Sequence, residues 1–318
     1  MKNSLLFVSV LFCLNVSAQI KITNADMPKS GDNIIYSTAI ANIDVSKTGE
    51  DYTWDFSGLQ PVTNDTFKFA NPTGIYLVNF FGNVARKSRI GNQEGVFFFK
   101  NSNTEWAQTG LGFKMPALNT DAPLKFNNPD QVYKFPLTFG SNTYSDTFGG
   151  VTTIQTFKIA FHGKRTTQVD GWGTIKTPFG TFDCIRLKAV VIEKDTVGFA
   201  PFDNSRTEYT WLAKGHKIPV LQITIPTNIQ QQTTIIYRDS ARDITNIPRE
   251  PRPVFMASDT AVFEGDTVAF VNRTIGFNNT YNWEISPSTY TFAPGFSAAS
   301  QNLRVIFSNE GKYTISLS

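Results

Sequence analysis

Hydrophobic and polar residues alternate along much of this chain with a period of two, the pattern of β-strands that turn one face to a core. The clearest stretch is Val169 to Ile192, VDGWGTIKTPFGTFDCIRLKAVVI. Pro178 and Gly180 supply the chemistry of a tight reversal. From Thr181 onward Ile185, Leu187, Ala189 and Val191 fall on one face, while Cys184, Arg186 and Lys188 fall on the other. The pattern predicts a two-stranded hairpin around which a large domain is built. Gly171 and Gly173 flank Trp172 where two glycines weaken a strand, so they predict a bulge or a close backbone approach beside a large buried ring.

Further strands are expected before the hairpin, each bounded by Gly, Pro, Asn or Asp: Ile34 to Ile40, Tyr52 to Phe56, Thr66 to Phe69, Ile75 to Phe81, Gly95 to Phe99, Thr104 to Gln108, Val132 to Leu137 and Tyr144 to Phe148. Two long strands, Val151 to Phe161 and Arg165 to Thr174, lead into it, and Arg206 to Leu212, Ile218 to Ile225 and Thr233 to Arg238 follow. Gly110 to Asn128, with Pro116 and Pro123, reads as a loop across one end of the sheet. Roughly a dozen strands with short connections predict an all-β fold, a large antiparallel β-barrel-like or sandwich domain, because a flat open sheet of that size is rare.

The proline-rich IPREPRP at 247–253 reads as a stiff linker that ends a domain of residues 19–246. Beyond it four strands are expected, Phe263 to Asn272, Thr280 to Ile285, Leu303 to Phe307 and Lys312 to Leu317, as in an immunoglobulin-like sandwich.

Composition supports globular domains. The 318 residues are 41% hydrophobic and 17% charged, too apolar for disorder and long enough for two domains. A net charge of +3, with Lys and Arg scattered, excludes the electrostatic footprint of nucleic-acid binding. Residues 1–18, MKNSLLFVSVLFCLNVSA, read as a secretory signal cleaved before Gln19, with an apolar run short of the roughly 20 residues of a membrane span. Phe12 stands where a lipoprotein has a small residue before Cys13. The exported chain then keeps Cys184 alone, so its core and not a disulfide must hold it, and Cys184 reads as a buried thiol.

Two stretches resemble known families. Residues 281–318 carry Asn282 and Trp283, the Ser-Gln-Asn before Leu303, and Gly311 to Thr314, with Gly265 earlier; together they resemble the PKD type of immunoglobulin-like domain of bacterial surface and secreted proteins. The resemblance implies that Trp283 is the sandwich core, and Trp-Glu-Ile-Ser at 283–286 departs from the commoner Trp-Asp-Phe-Gly. Because such a sandwich takes about seven strands, the domain 254–318 reads as incomplete, lacking a closing strand. Lys134 to Gly140, Val169 to Gly173, Thr177 to Thr181 and Cys184 to Lys188 resemble uncharacterised β-rich proteins exported by the type IX secretion route of Gram-negative bacteria, which implies a secreted or outer-surface location. Asp-Thr or Asp-Ser before a small aliphatic residue, at Asp195, Asp239, Asp259 and Asp266, looks like the O-glycosylation signal of such organisms.

Candidate chemistry is sparse. His162 and His216 each stand alone, with no HExxH, CxxC, Gly-x-Ser-x-Gly or phosphate-cradling glycine loop, so no metal and no cofactor is expected. Asp203 to Ser205 is polar but lacks the alternating oxygen ligands of a calcium loop. Paired carboxylates suffice for glycoside hydrolysis, and Glu193 with Asp195, two apart on one strand face, or Asp183 with Glu208, could serve, although such residues read first as solvated surface. Trp54, Trp106 and Trp211 are the candidate ligand-binding residues, since aromatic faces stack on sugars, while Trp172 between glycines reads as structural. The expected function is a secreted or cell-surface, non-catalytic module, adhesive or glycan-binding, with carbohydrate or another surface protein as partner. A secreted carboxylate-pair hydrolase and a purely structural surface protein are the alternatives. Two exposed tryptophans in a groove favour binding, a buried close carboxyl pair favours an enzyme, and neither favours structure.

Overall fold

The computed structural model describes residues 20–73, 82–90, 93–115, 120–198, 200–228, 231–244, 253–274 and 280–318. The signal segment 1–18, the strand expected over 75–81 and all of the linker 247–253 except Pro253 lie outside the described residues. Apart from one short 3-10 turn, Asn24–Asp26, the regular structure among the described residues is β.

Among the described residues fourteen strands precede residue 239: β1 (Asn33–Ala39), β2 (Gly49–Asp55), β3 (Thr63–Ala70), β4 (Val84–Ile90), β5 (Gln93–Asn101), β6 (Glu105–Met115), β7 (Thr120–Lys134), β8 (Tyr144–Ile154), β9 (Phe157–Thr177), β10 (Gly180–Val197), β11 (Ala200–Asp203), β12 (Arg206–Ala213), β13 (Leu221–Pro226) and β14 (Thr234–Arg238). Antiparallel pairing runs β10-β12-β13-β14-β1-β3-β4-β5-β6-β7-β8-β9 and returns to β10, closing a barrel of 12 strands. A barrel and not a sandwich is therefore the solution, and closure removes the unpaired edges of so large a sheet. Two seams are narrow among the described residues: β3 meets β4 at Phe69–Arg86 and Ala70–Ala85, and β7 meets β8 at Asn128–Gly149.

The β9–β10 hairpin runs the height of the barrel, with Gly180 opposite Thr177 at its turn and Val197 opposite Ile159 at the far end. The end holding this turn is the floor, and the end holding the β8–β9 and β10–β11 connections is the mouth. A register shift between Arg186 and Leu187 is the expected bulge, and the expected close approach is also there. β2 pairs in parallel with the lower part of β9, and a Cβ on Gly173, at φ +148°, would sit 2.1 Å from the Tyr52 carbonyl oxygen. Trp172 itself is half-buried against the floor-side core.

Two expectations for neighbouring strands are corrected. The described parts of Gly110 to Asn128, residues 110–115 and 120–128, are not a loop: β6 and β7 pair through them, and Pro123 takes a ladder position opposite Gly112. The break expected near residues 162–164 lies at 155–156 instead, where Gln155 adopts φ 55°, and β9 runs straight through His162 and Gly163. Gly163 is a packing glycine, since a Cβ there would fall 2.2 Å from the Phe148 ring that lies over it.

Each wall face has its own core. Inside, the floor is filled by Ile22, Met27, Phe69, Phe99, Trp106, Ile185, Leu187 and Leu212, where Ile22 bridges to Leu137. Outside, residues 40–62 cross the lower wall as a strap and bury Trp54, Ile175, Cys184, Trp211, Leu221, Ile235 and Tyr237. This is why residues 184 to 187 are buried on both faces. Arg186 fastens the strap from beneath: its guanidinium donates to the carbonyls of Lys47 and Val45, pairs with Asp170 at 3.7 Å and lies over the rings of Tyr209 and Trp211.

Beyond residue 253 lie β15 (Phe255–Ala257), β16 (Thr267–Asn272), β17 (Trp283–Ser286), β18 (Tyr290–Phe292), β19 (Leu303–Phe307) and β20 (Thr314–Leu317), six strands where four were expected. They form a four-stranded sheet, β15-β16-β19-β18, and a two-stranded sheet, β17-β20, that share a core of Val268, Phe270, Trp283, Leu303, Val305 and Leu317. Phe263 to Asp266 is a turn and not strand, leaving Phe263 exposed. Trp283 is buried and donates from Nε1 to the Ser300 carbonyl at 2.8 Å.

Candidate functional site in the barrel lumen

Side chains just fill a barrel of about eight strands, so twelve leave space along the axis. Alternation on each strand decides what borders it. On β10 the inward positions are Ala189, Val191, Glu193 and Asp195, all buried, whereas outward Val190 and Ile192 are 42% and 56% exposed. The upper half of β10 is thus inverted, with carboxylates inside and aliphatics outside. Inward Arg165 from β9, Asp130 from β7, and Arg206 and Glu208 from β12 meet those carboxylates at mid-height.

They form an unbroken ion chain. Arg165 grips Asp130 with two parallel hydrogen bonds, Nε to Oδ1 at 2.7 Å and Nη2 to Oδ2 at 2.9 Å, and donates from Nη1 to Glu208 Oε2 at 2.7 Å. Arg206 donates from Nε to Glu208 Oε1 at 2.7 Å and from Nη1 to Glu193. Asp195 follows Glu193 on the same face: Oδ2 accepts the Asn204 amide, and Oδ1 makes no hydrogen bond of good geometry among the described residues, although the backbone N–H of His162 is near enough to the carboxyl to act on its acidity.

Burial and neighbouring charge split the acidities of these groups. For Glu208, burial would raise the pKa, but Arg165 and Arg206 outweigh it and bring it down to about 2. Burial pushes Glu193 up against the pull of Arg206. Burial, reinforced by the charge of Glu193, lifts Asp195 to about 7, while Asn204, Arg206 and the backbone N–H of His162 pull the other way.

Cavities lie on either side of this polar layer. The floor-side one, of about 400 Å³, is bordered by Tyr36, Phe67, Phe99, Trp106, Leu187 and Ile218. The mouth-side one, of about 500 Å³, is bordered by Leu111, Phe113, Phe126, Phe148 and Phe161 together with Glu193 and Asp195. Gln108, Asp130 and Arg206 border both. Arg86 projects into the floor-side cavity, where the rings of Phe67, Phe97 and Phe99 lie 4.8, 5.3 and 5.5 Å from its guanidinium carbon and burial lowers its pKa to about 10.

The sequence candidates are redistributed. Trp54 and Trp211 come together edge to face at 6.0 Å, but both are buried, Trp54 on the strap itself and Trp211 on the wall that it covers. Trp106 borders the floor-side cavity, stacked on Phe99 at 4.7 Å. Glu193 and Asp195 do share a face, and the surface reading of them is wrong: Ala189 and Val191, apolar and in phase with them, set that face inward. Asp183 is exposed and Glu208 is in the lumen, so they are not a pair. Asp203 pairs with Lys194 outside, whereas Asn204 reaches Asp195. Asp195 and Asp239 are buried, and only Asp259 and Asp266 of the four glycosylation-type aspartates are exposed. Sequence reasoning missed Asp130, Arg165, Asn204 and Arg206. The one available signal for Arg165 was its phase with Thr167 and Val169, opposite to Lys164, Thr166 and Gln168.

No family model matches the chain, and no curated protein or solved structure matches it either. Among the described residues no helix is long and apolar enough to cross a membrane.

Proposed function

We propose that the chain is a secreted or cell-surface, non-catalytic binding module whose barrel lumen holds a small molecule with an apolar body and a polar end. The lumen carries this reading. Two cavities in the size range of small-ligand sites adjoin at a layer of convergent charged groups, and their remaining walls are mainly aromatic and aliphatic. Glycan stacking on a tryptophan groove has less support, because Trp54 and Trp211 are core residues. The export signal of residues 1–18 supports the location, and the PKD-like pattern of residues 281–318 supports a surface-type spacer after the barrel.

The test is displacement of an apolar fluorescent probe from the full chain by alkyl alcohols, with Val197→Trp, which narrows the mouth-side compartment, as control. Saturable binding weakened by Val197→Trp is expected. Probe binding that no alcohol displaces, or that the substitution leaves untouched, overturns the reading.

One observation favours a second reading, hydrolysis by a carboxylate pair: Glu193 and Asp195 are adjacent, buried and both shifted upward. Their compartment offers phenylalanine faces where a sugar needs hydrogen-bond partners. Turnover in a broad polysaccharide screen, abolished by Asp195→Asn, would establish the enzyme instead.

A further inference from the structure

We propose that the mouth-side compartment selects an amphiphile bearing a protonated amine, with the ammonium held by Asp195 and the apolar chain among the phenylalanines. The proposal rests on the lumen reading and adds the charge of the ligand. Asp195 is 1% exposed, borders the compartment, and leaves Oδ1 without a hydrogen bond among the described residues. A buried acceptor left without a donor is unfavourable, so the site as it stands is short of a donor.

The charges around the layer show which kind of donor is missing. Among the described residues Asp130, Glu193 and Glu208 make their ion pairs with Arg165 and Arg206 alone, Asp195 makes none, and Lys114 borders the compartment as an exposed side chain at the β6 rim. Arg165 is committed to Asp130 and Glu208, and Arg206 to Glu193, Glu208 and the Asn204 carbonyl, so neither guanidinium hydrogen-bonds Asp195. Lys194, next in sequence, points outward to Asp203. An anionic ligand would meet excess carboxylate, and a neutral one would leave it uncompensated. An ammonium supplies both the charge and several N–H donors. Phenylalanine faces suit the rest of such a ligand, since they attract cations and accommodate an alkyl chain.

The experiment is calorimetric titration of the full chain with octylamine, octanol and octanoate, three heads on one tail, at pH 8 and pH 6. At pH 8 octylamine is expected to bind roughly ten- to a hundredfold more tightly than octanol, the range of a charged hydrogen bond, with octanoate weakest. The preference for the amine should shrink at pH 6 as Asp195 takes up a proton. The groups facing Asp195 are Glu193 on its own strand, Asn204 and Arg206 beside it, Asp130 from β7 and Lys114 at the β6 rim; Glu193, raised as well, acts in the same direction. Asp195→Asn should bring octylamine to the level of octanol, and Asp195→Glu should retain the preference. Equal affinity for all three heads, tighter octanoate, or a preference unchanged between pH 8 and pH 6 overturns the ammonium assignment while leaving the lumen as a site. No binding of any of the three overturns both. Should Asp195→Asn not fold, the pH comparison on the unmodified chain decides alone.

Discussion

Asp195 should make the empty protein less stable above neutral pH than a neutral side chain of the same shape would. Its folded-state pKa is raised from 3.8 to about 7, so between those values the folded chain keeps a proton that the unfolded chain has released. Stability from this group therefore falls as pH rises through that window, and the cost is complete above about 7. With each tenfold change in proton affinity equal to about 1.4 kcal/mol, the ceiling is about 4 kcal/mol. Water entry and relaxation at the mouth reduce it, and we expect ~1–4 kcal/mol for Asp195→Asn at pH 8. At ~2–4 °C per kcal/mol this raises the melting temperature of the barrel transition by about 2–15 °C at pH 8. At pH 5, about one unit above the unfolded value and two below the folded one, only about a third of the cost has built up, so the gain should shrink to about a third of its pH 8 size. Differential scanning calorimetry of both forms without ligand at the two pH values checks this. Equal stability at pH 8, or an equal gain at both, would refute the assignment of Asp195 as a buried, uncompensated acid.

Three further substitutions or reactions test the rest of the architecture. Arg165→Met strips Asp130 and Glu208 of their shared partner and should cost about 3–5 kcal/mol in denaturant unfolding, as removal of one member of a buried ion pair does. Gly173→Ala puts a Cβ 2.1 Å from the Tyr52 carbonyl and strains a φ of +148°, so it should lower the urea midpoint by an amount worth about 1–3 kcal/mol or more and expose the strap to proteolysis, whereas the same change at exposed Gly58, with open space around it, should be nearly silent. Cys184 is buried and unpaired, and burial pushes its thiol well above the usual range, so it should resist a thiol-modifying reagent in the native protein and react stoichiometrically in denaturant.

The barrel walls were largely legible in the sequence, because period-two alternation and turn chemistry are local. Pro178 and Gly180 marked the central hairpin, and Gly171 and Gly173 marked the close approach that β2 makes. The errors came from residues whose roles are set across strands. Residues 162–164 fall between two expected strands, yet Gly163 is a seat for Phe148, while the true reversal uses Gln155, which carries no turn signature. The lumen was half legible: Glu193 and Asp195 could be placed on one face of β10, but not on the inner one. Polarity argues for the outside, and only Arg206, Arg165 and Asn204, brought in from β12, β9 and the segment before β12, make the inside tenable. Trp54 and Trp211 misled for the same reason, since the strap that carries Trp54 meets the wall that carries Trp211 only in the folded chain.

The most direct test of the lumen as a binding site is a crystal structure of the full chain grown with ω-bromooctylamine, with the bromine located by its anomalous scattering. A bromine peak inside the barrel, in the mouth-side compartment bordered by Phe113, Phe148 and Phe161, is the predicted result. Bromine found only on the outer surface, with the lumen closed by the chain's own side chains, would contradict the account.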